Sequence, residues 1–502
     1  MTMLKRLTGL VLVLCLLALA LASCGSAGTD EPAETEVATG GGNETQKAAE
    51  SETAEPRIDP GLPEKSFNNQ TFDVLHWLLD SGVGTAWIPW EEITAETIQG
   101  DVLNDAIYDR NRKVEEDYDV VITTTYMQIL DVNNTIINST ATGLQEYEVA
   151  IQRGVQTAAL LNSEYLRPFE SLPYVNLSQP WWSQDCLESL GMGDVHLFAT
   201  SDLLVLDKSA VACVQYNHNV AEQHVESVGN LYDEVDNMTW TFERFVTICD
   251  EVGTDLDDDG RRDGEGDLVA FYCGDDPVHF LFTGAGLKFM DRDNAGYFQY
   301  LFGTGDTIEV MDTIYTDLMY ADFFHNNITS SGFSYDKFAA DELLFRQSSV
   351  KGAALMRNME SSFGILPIPM FSETQTRYYS EVSPHHDALM CIPASVTDSE
   401  FCGLILEALS YESHYVVYPQ FHDVVITGHT PRDEESKRML DLVFETRVYD
   451  AGLHFDMAGF AGICLRHTAT HTTAFASLWE ENQGKVEGKL EEFNKLIEKL
   501  NS

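Results

Sequence analysis

Residues 71–77, Thr-Phe-Asp-Val-Leu-His-Trp, and residues 119–125, Asp-Val-Val-Ile-Thr-Thr-Thr, enclose a segment from about Asn104 to Asp117 in which Ile107 and Val114, with Tyr118 just beyond, recur on one face. The outer stretches alternate in polarity and are rich in β-branched and aromatic residues, as strands are, whereas the middle has the 3.6-residue period of an amphipathic helix. Strand, helix and strand in succession predict a parallel α/β sheet. Residues 147–151, Tyr-Glu-Val-Ala-Ile, extend it, and Val195–Thr200 with Ala210–Asn217 is predicted as a pair of long strands separated by a polar turn. Beyond Asn217 helical periodicity dominates, over 242–252, 306–318, 398–413, 433–451 and 478–500, without an internal repeat.

The N-terminus is of another kind. Lys5-Arg6 precedes an apolar run from Leu10 to Ala22 and then Ser23-Cys24, the layout of a secretory signal peptide. The run falls short of the about 20 residues that a bilayer core requires. Leu21-Ala22-Ser23-Cys24 resembles the bacterial lipobox, which implies removal of residues 1–23 and a diacylglycerol on Cys24. An ordinary secretory signal with an incidental cysteine is the competing reading. Residues 24–65 are mostly Gly, Ser, Thr, Ala, Pro and Glu, too polar to bury a core, and are expected to form a disordered acidic linker. Two acyl chains anchor a protein where one holds only marginally. The expected location is therefore the outer face of the cell membrane, anchored and not spanning.

Composition narrows the partners. The 81 acidic residues against 30 basic ones leave a formal charge of -51, which argues against nucleic acid as a ligand. Roughly 435 residues follow the linker, enough for two large lobes with separate cores. Beyond Cys15 and Cys24 there remain Cys186, Cys213, Cys249, Cys273, Cys391, Cys402 and Cys464. The odd number and the lack of any CxxC favour buried free thiols over a disulfide framework or a zinc site.

Several segments, taken in order, carry a resemblance: Pro180-Trp181-Trp182, Phe198-Ala-Thr-Ser-Asp202, Tyr216-Asn217, Met238-Thr-Trp240-Thr, Phe363-Gly-Ile-Leu-Pro-Ile-Pro369, Tyr378-Tyr-Ser380 and Arg432-Asp-Glu-Glu-Ser436. From Thr71 to the C-terminus the chain resembles the extracellular solute-binding lipoproteins of ABC importers, in their maltose-binding-like group. The resemblance implies an α/β, two-lobed periplasmic-binding-protein-like fold of type II. Lobe 1 is expected over 66–210 plus 385–428 and lobe 2 over 211–384 plus 429–502, with the chain crossing near 200–215, 380–395 and 425–435. It further implies a monomer that captures a carbohydrate, or another small polar solute, and passes it to a permease.

A carbohydrate cleft combines flat aromatic rings with side chains that bond hydroxyls. Trp87, Trp90, Trp181 and Trp182 stand in loops and are candidate platforms, with core burial as the alternative; Trp240, at a helix start, is expected in the core. The resemblance places Gln152, Arg153, Asp202, Asn217 and Arg357 near strand ends by the hinge, and Tyr378, Tyr379, His385 and His386 near the second crossing. For each polar residue a cap or a surface ion pair is the alternative.

The strongest local motif lies elsewhere. Asp255, Asp257, Asp259, Arg261 (through its carbonyl) and Asp263 stand at positions 1, 3, 5, 7 and 9 of a loop with Gly260 at position 6, which is calcium-loop spacing. Position 12 is Gly266 instead of an acid, so Glu265, Asp267 or a water must substitute, at a lower affinity. Structural Ca²⁺ is the expected cofactor, beside the lipid on Cys24. The opposing functional classes are an exported glycan-acting enzyme with two carboxylates across a cleft and a surface protein that holds polysaccharide without transport. No nucleophile elbow, HExxH helix or phosphate loop supports the enzyme.

Overall fold

The computed structural model describes residues 56–78, 92–161, 164–260, 262, 264, 266–273, 277–319, 321–326, 331–356, 359–427, 434–456, 458–464 and 474–502. The signal segment, Cys24, Trp87, Trp90, Arg261, Asp263 and Arg357 lie outside these residues. The body begins at Arg57, ahead of the expected start at 66. The reason is that charged residues of the presumed linker find partners on the helix Ser399–Thr427: Arg57 pairs with Glu412 at 2.9 Å and lies 5.0 Å over the Tyr415 ring, and Lys65 pairs with Glu400 at 2.8 Å.

Four strands open the chain: β1 (Gln70–Leu78), β2 (Val120–Gln128), β3 (Val149–Gln152) and β4 (Leu166–Arg167). Between β1 and β2 runs the helix Val102–Tyr118, which starts where Asp101 caps the Asn104 N–H and stops at Asp119 in the left-handed region, φ 53°. It buries Leu103, Ala106, Ile107 and Val114 in the lobe 1 core, the face that the sequence pattern marks. Seven strands follow: β5 (Ala212–Asn217), β6 (Val269–Cys273), β7 (Met290–Arg292), β8 (Phe298–Tyr300), β9 (Phe324–Asn326), β10 (Leu343–Ser349) and β11 (Phe363–Leu366). The last three are β12 (Ser380–Glu381), β13 (Leu389–Pro393) and β14 (Arg447–Val448).

Ten of these strands form two five-stranded mixed sheets, one per lobe, β2-β1-β3-β13-β4 and β11-β5-β10-β6-β9, while β12-β14 and β7-β8 are two-stranded pairs. β1 runs parallel to β2 from Gln70 opposite Val120 to Leu78 opposite Gln128, and parallel to β3; β13 returns antiparallel. In the second sheet β6, β9 and β10 are parallel, and β5 is antiparallel to β10 and β11. Only β5 of the expected strand pair is a strand. Residues 195–200 make isolated bridges, Val195 to Met192 and Ala199 to Met390, and a helical turn, Leu206–Ser209, precedes β5. Leu197, Phe198 and Ala199 are nevertheless fully buried, so their alternation reports a core position and not a ladder.

Three segments link the lobes side by side. Ser383 N–H donates to Ala210 C=O at 3.1 Å, Val382 N–H to Val448 C=O at 2.9 Å and Ser380 N–H to Thr446 C=O at 2.8 Å. The helix Ser399–Thr427 packs on the first lobe's Val102–Tyr118 and the helix Glu434–Glu445 on β11 of the second; the crossing expected at 425–435 lies largely outside the described residues. The chain then returns through the hinge at β14, within the segment expected to be one helix to residue 451. The final helix, Phe475–Leu500, is anchored at both ends: Phe475 N–H donates to Asp312 of lobe 2, and Asn501 Nδ2 to Met192 C=O of lobe 1. The tail thus spans both lobes instead of belonging to lobe 2 alone. Among the described residues no helix is long and apolar enough to cross a membrane. The seven cysteines from Cys186 onward are free and buried, as expected.

Candidate functional site

In sheets built from parallel strands, ligands bind beyond the carboxyl ends of the strands. In lobe 1 those ends are Leu78, Gln128 and Gln152, and in lobe 2 Cys273, Asn326 and Ser349. Both edges adjoin the hinge: Gln152 lies opposite Leu389, and Val350 N–H donates to Val211 C=O at 2.9 Å. Exposed apolar side chains occur at this edge, with Leu78 at the end of β1, Leu130 just past β2 and Leu355 at the end of the helix after β10.

The back of the site is polar and fully buried. Asp387 accepts from Gly154 N–H at 2.9 Å and faces His454 Nε2 at 2.9 Å, while His454 Nδ1 lies 3.0 Å from Asp450 C=O. A Cβ on Gly154 would stand 2.4 Å from the Asp387 oxygen, so glycine is required where the end of β3 meets the crossing segment. Gln152 donates to Ile129 C=O and to Asn133, and it accepts from Arg153 N–H. It orders the edge but presents no free group. Arg153 Nε donates to His385 C=O at 2.5 Å and Nη2 reaches His385 Nδ1 at 3.3 Å. Burial and the neighbouring Arg153 cation push the His385 imidazole down to about 4. Arg153, His385 and His386 are therefore brought together at the hinge, where the histidines are partly buried.

Other candidates are corrected. Trp181 and Trp182 are fully buried, and both indoles donate to one carboxylate, Glu407, at 3.0 and 2.9 Å. A tandem Trp-Trp in a Pro-led loop satisfies two buried N–H groups with one acid, which leaves neither ring for a ligand. Asn217 caps the helix His218–Gln223 through Val220 N–H and donates to Phe338 C=O and Asp341. Asp202 is closed into a buried cluster with Lys208 at 3.1 Å and His414 at 2.5 Å. Tyr378 sits in the lobe 2 core with its hydroxyl on Val235 C=O, and the half-buried Tyr379 lies beneath Arg377 at 4.9 Å. Trp240 is in the core, as expected, donating to Pro367 C=O.

Glu407 went unpredicted, although a lone acid in Leu404-Ile-Leu-Glu-Ala-Leu409 is a readable signal. Burial raises its carboxyl to about 7, against the indole N–H groups and Asn176 N–H that favour the anion. The folded-state value lies above the ordinary 4.5, so the neutral form is favoured in the fold. Its contribution is complete below about pH 4.5 and is lost as pH rises through 7, by roughly 3 kcal/mol. Glu407→Gln is expected to remove that part of the stability difference between pH 5 and pH 8, read by denaturation of both proteins at both pH values. An equal difference in the two proteins would refute it.

The acidic loop lies between the helix Phe242–Val252 and β6. Asp255 accepts from Asp258 and Gly260 N–H, Asp257 from Asp259 N–H, and Asp267 from Leu256 and Gly264 N–H. Carboxylate oxygens of Asp255, Asp257 and Asp267 lie within 4.8 Å of one another. Burial raises the Asp267 carboxyl, but those backbone donors outweigh it and hold the group below the usual carboxylate range. A Cβ at Gly266 would fall 2.7 Å from Asp257. An acid cannot occupy the twelfth position here, and Asp267 converges in its place. The residues present fit a hard divalent cation. Elsewhere a groove of about 630 Å³, lined by Glu188, Asp194, Asp291 and Arg292 among others, holds none of the predicted site residues.

No protein-family model and no curated protein matches the chain. Its fold does match solved structures. A cyclo/maltodextrin-binding protein complexed with maltotetraose aligns over 86% of this chain and 98% of its own, with a TM-score of 0.53 at 10% identity. This is the two-lobed type II solute-binding fold. The cyclic alpha-maltosyl-1,6-maltose binding protein from Arthrobacter globiformis is similar over 84% of this chain and 99% of its own, at a TM-score of 0.50 and 12% identity. The strand-end edges around Gln152, Arg153 and Ser349, with Asp387 and His454 beside them, adjoin the hinge of this fold.

Proposed function

We propose that the protein is a non-catalytic receptor that closes its two lobes on an extracellular carbohydrate and delivers it to an ABC permease. The observation that carries this reading is the pair of sheets whose carboxyl edges adjoin one three-segment hinge, an arrangement that supports closure by rotation of one lobe on the other. Exposed leucines and polar groups on the same edges suit the apolar faces and hydroxyl rims of sugars. The lipobox-like sequence ending at Cys24 supports a lipid tether that keeps the receptor at the outer face of the membrane. A calorimetric screen of the purified protein against glycans and peptides tests the assignment. Saturable binding of an oligosaccharide is expected, and binding of peptides alone would refute the sugar.

The same reading takes the Asp255–Asp267 loop as a structural Ca²⁺ site, in which Asp255, Asp257 and Asp267 supply oxygens and join the helix end to β6. Calcium at a hundred times its dissociation constant should add about 2.7 kcal/mol. The melting midpoint is expected to rise with calcium and to fall with chelator, and Asp257→Asn should blunt the response. An unchanged midpoint would remove calcium from the account.

A further inference from the structure

Arg346, in the middle of β10, is only 6% exposed. Its Nε donates to Ser334 Oγ at 3.2 Å and its Nη1 to Gln215 Oε1 at 2.6 Å, and the guanidinium lies 4.1 Å over the Tyr335 ring. Gln215 is itself held by Ser349 C=O at 3.3 Å. No carboxylate pairs with Arg346 among the described residues, and its Nη2 edge meets no acceptor there. Such an arrangement is costly. Buried charges are almost always paired, and acids outnumber bases in this chain by 81 to 30, so a counter-ion was readily available.

The position is specific. Ser334 and Tyr335 belong to the helix Ser331–Ala339 that follows β9, and Gly352 to the helix Val350–Leu355 that follows β10. Both helices start from the carboxyl edge of the lobe 2 sheet, which is the cleft wall. Gly352 passes so close that a Cβ there would stand 2.7 Å from Arg346 Nη1 and 2.4 Å from Ser348 Oγ. The guanidinium thus occupies a socket with Nε and Nη1 each held, one face stacked, and Nη2 without an acceptor among the described residues.

We infer that Arg346 is a ligand-binding residue for an oxyanion, and that the captured carbohydrate is acidic, bearing a carboxylate or a sulfate. This rests on the solute-capture reading and narrows its substrate class. A guanidinium edge with two parallel N–H groups matches the two oxygens of either group, and the clamp removes the entropy that a free arginine would lose on binding. Neutral sugars leave the buried cation uncompensated. The chain's overall negative charge acts over distances that physiological salt screens beyond about 8 Å, so the local cation decides which anion is accepted.

The test titrates the intact protein, and its Arg346→Gln variant, with uronic-acid oligosaccharides, their carboxyl-reduced neutral counterparts and sulfated oligosaccharides. The expected result is binding of an acidic member, ten- to a hundred-fold weaker binding of its neutral counterpart, and loss of that discrimination in Arg346→Gln. Whether the uronic or the sulfated panel binds identifies the source of the charge. Because an unpaired buried cation is relieved, Arg346→Gln should melt no lower than the parent, which a purely structural arginine would not allow. Arg346→Lys, keeping the charge without the fork, should recover part of the affinity, and the comparison of panels on the parent protein holds even if a variant fails to fold. Equal affinity for acidic and neutral members, unchanged in Arg346→Gln, overturns the inference and leaves carbohydrate capture standing. Binding of no carbohydrate overturns both.

Discussion

Replacing Asp387 by alanine is expected to cost about 2–5 kcal/mol, because two buried donors lose their acceptor at once. Asp387 and His454 are both 0% exposed and 2.9 Å apart, and the second carboxylate oxygen holds Gly154 N–H. Alanine strands a backbone donor and an imidazole in a fully buried setting. The three groups come from the end of β3, the second crossing and the helix Ala451–His454 after β14, so the loss falls at the back of the cleft, where lobe 1 joins two crossing segments. Asp387→Asn keeps an acceptor for Gly154 and should cost less. Gly154→Ala should damage the same junction from the other side, because its Cβ would meet the carboxylate. Chemical denaturation reads all three, and an Asp387→Ala protein within about 1 kcal/mol of the parent would show that the cluster is dispensable.

Trp181→Ala separates a core role from a binding role. The indole is fully buried against Tyr411, at 5.2 Å between ring centres, and donates to Glu407. Truncation of a buried tryptophan typically costs about 3–5 kcal/mol, and here Glu407 also loses a donor. The expected variant is strongly destabilised, yet its folded fraction binds ligand with the parent's affinity. A stable variant with weakened binding would return Trp181 to the ligand face.

The lobes were legible because their strands and helices carry local periodicity: β1, the helix Val102–Tyr118 and β2 match the opening stretch of sequence almost residue for residue. The ligand walls were less legible. Trp181 and Asn217 belong to residue types that suit both a cleft and a core, and what decides between them is a partner far along the chain, Glu407 for the one and Asp341 for the other. Asp387 and His454 are 67 positions apart, and no local pattern links them. Arg346 is hidden for a related reason: Leu-Leu-Phe-Arg-Gln-Ser-Ser, residues 343–349, reads as a strand with a polar residue on one face. Only the packed structure shows that this residue has no counter-ion among the described residues. The acidic loop is the opposite case, since its spacing is local. Even there the replacement of position 12 by Asp267 follows from a steric contact, that of Gly266 with Asp257, which spacing does not contain.

Closure of two lobes on a solute is the central claim, and small-angle X-ray scattering of the purified protein tests it most directly, with and without a saturating oligosaccharide found in the binding screen. The account predicts a smaller radius of gyration and a narrower distance distribution on binding. An unchanged scattering curve at proven saturation would contradict it.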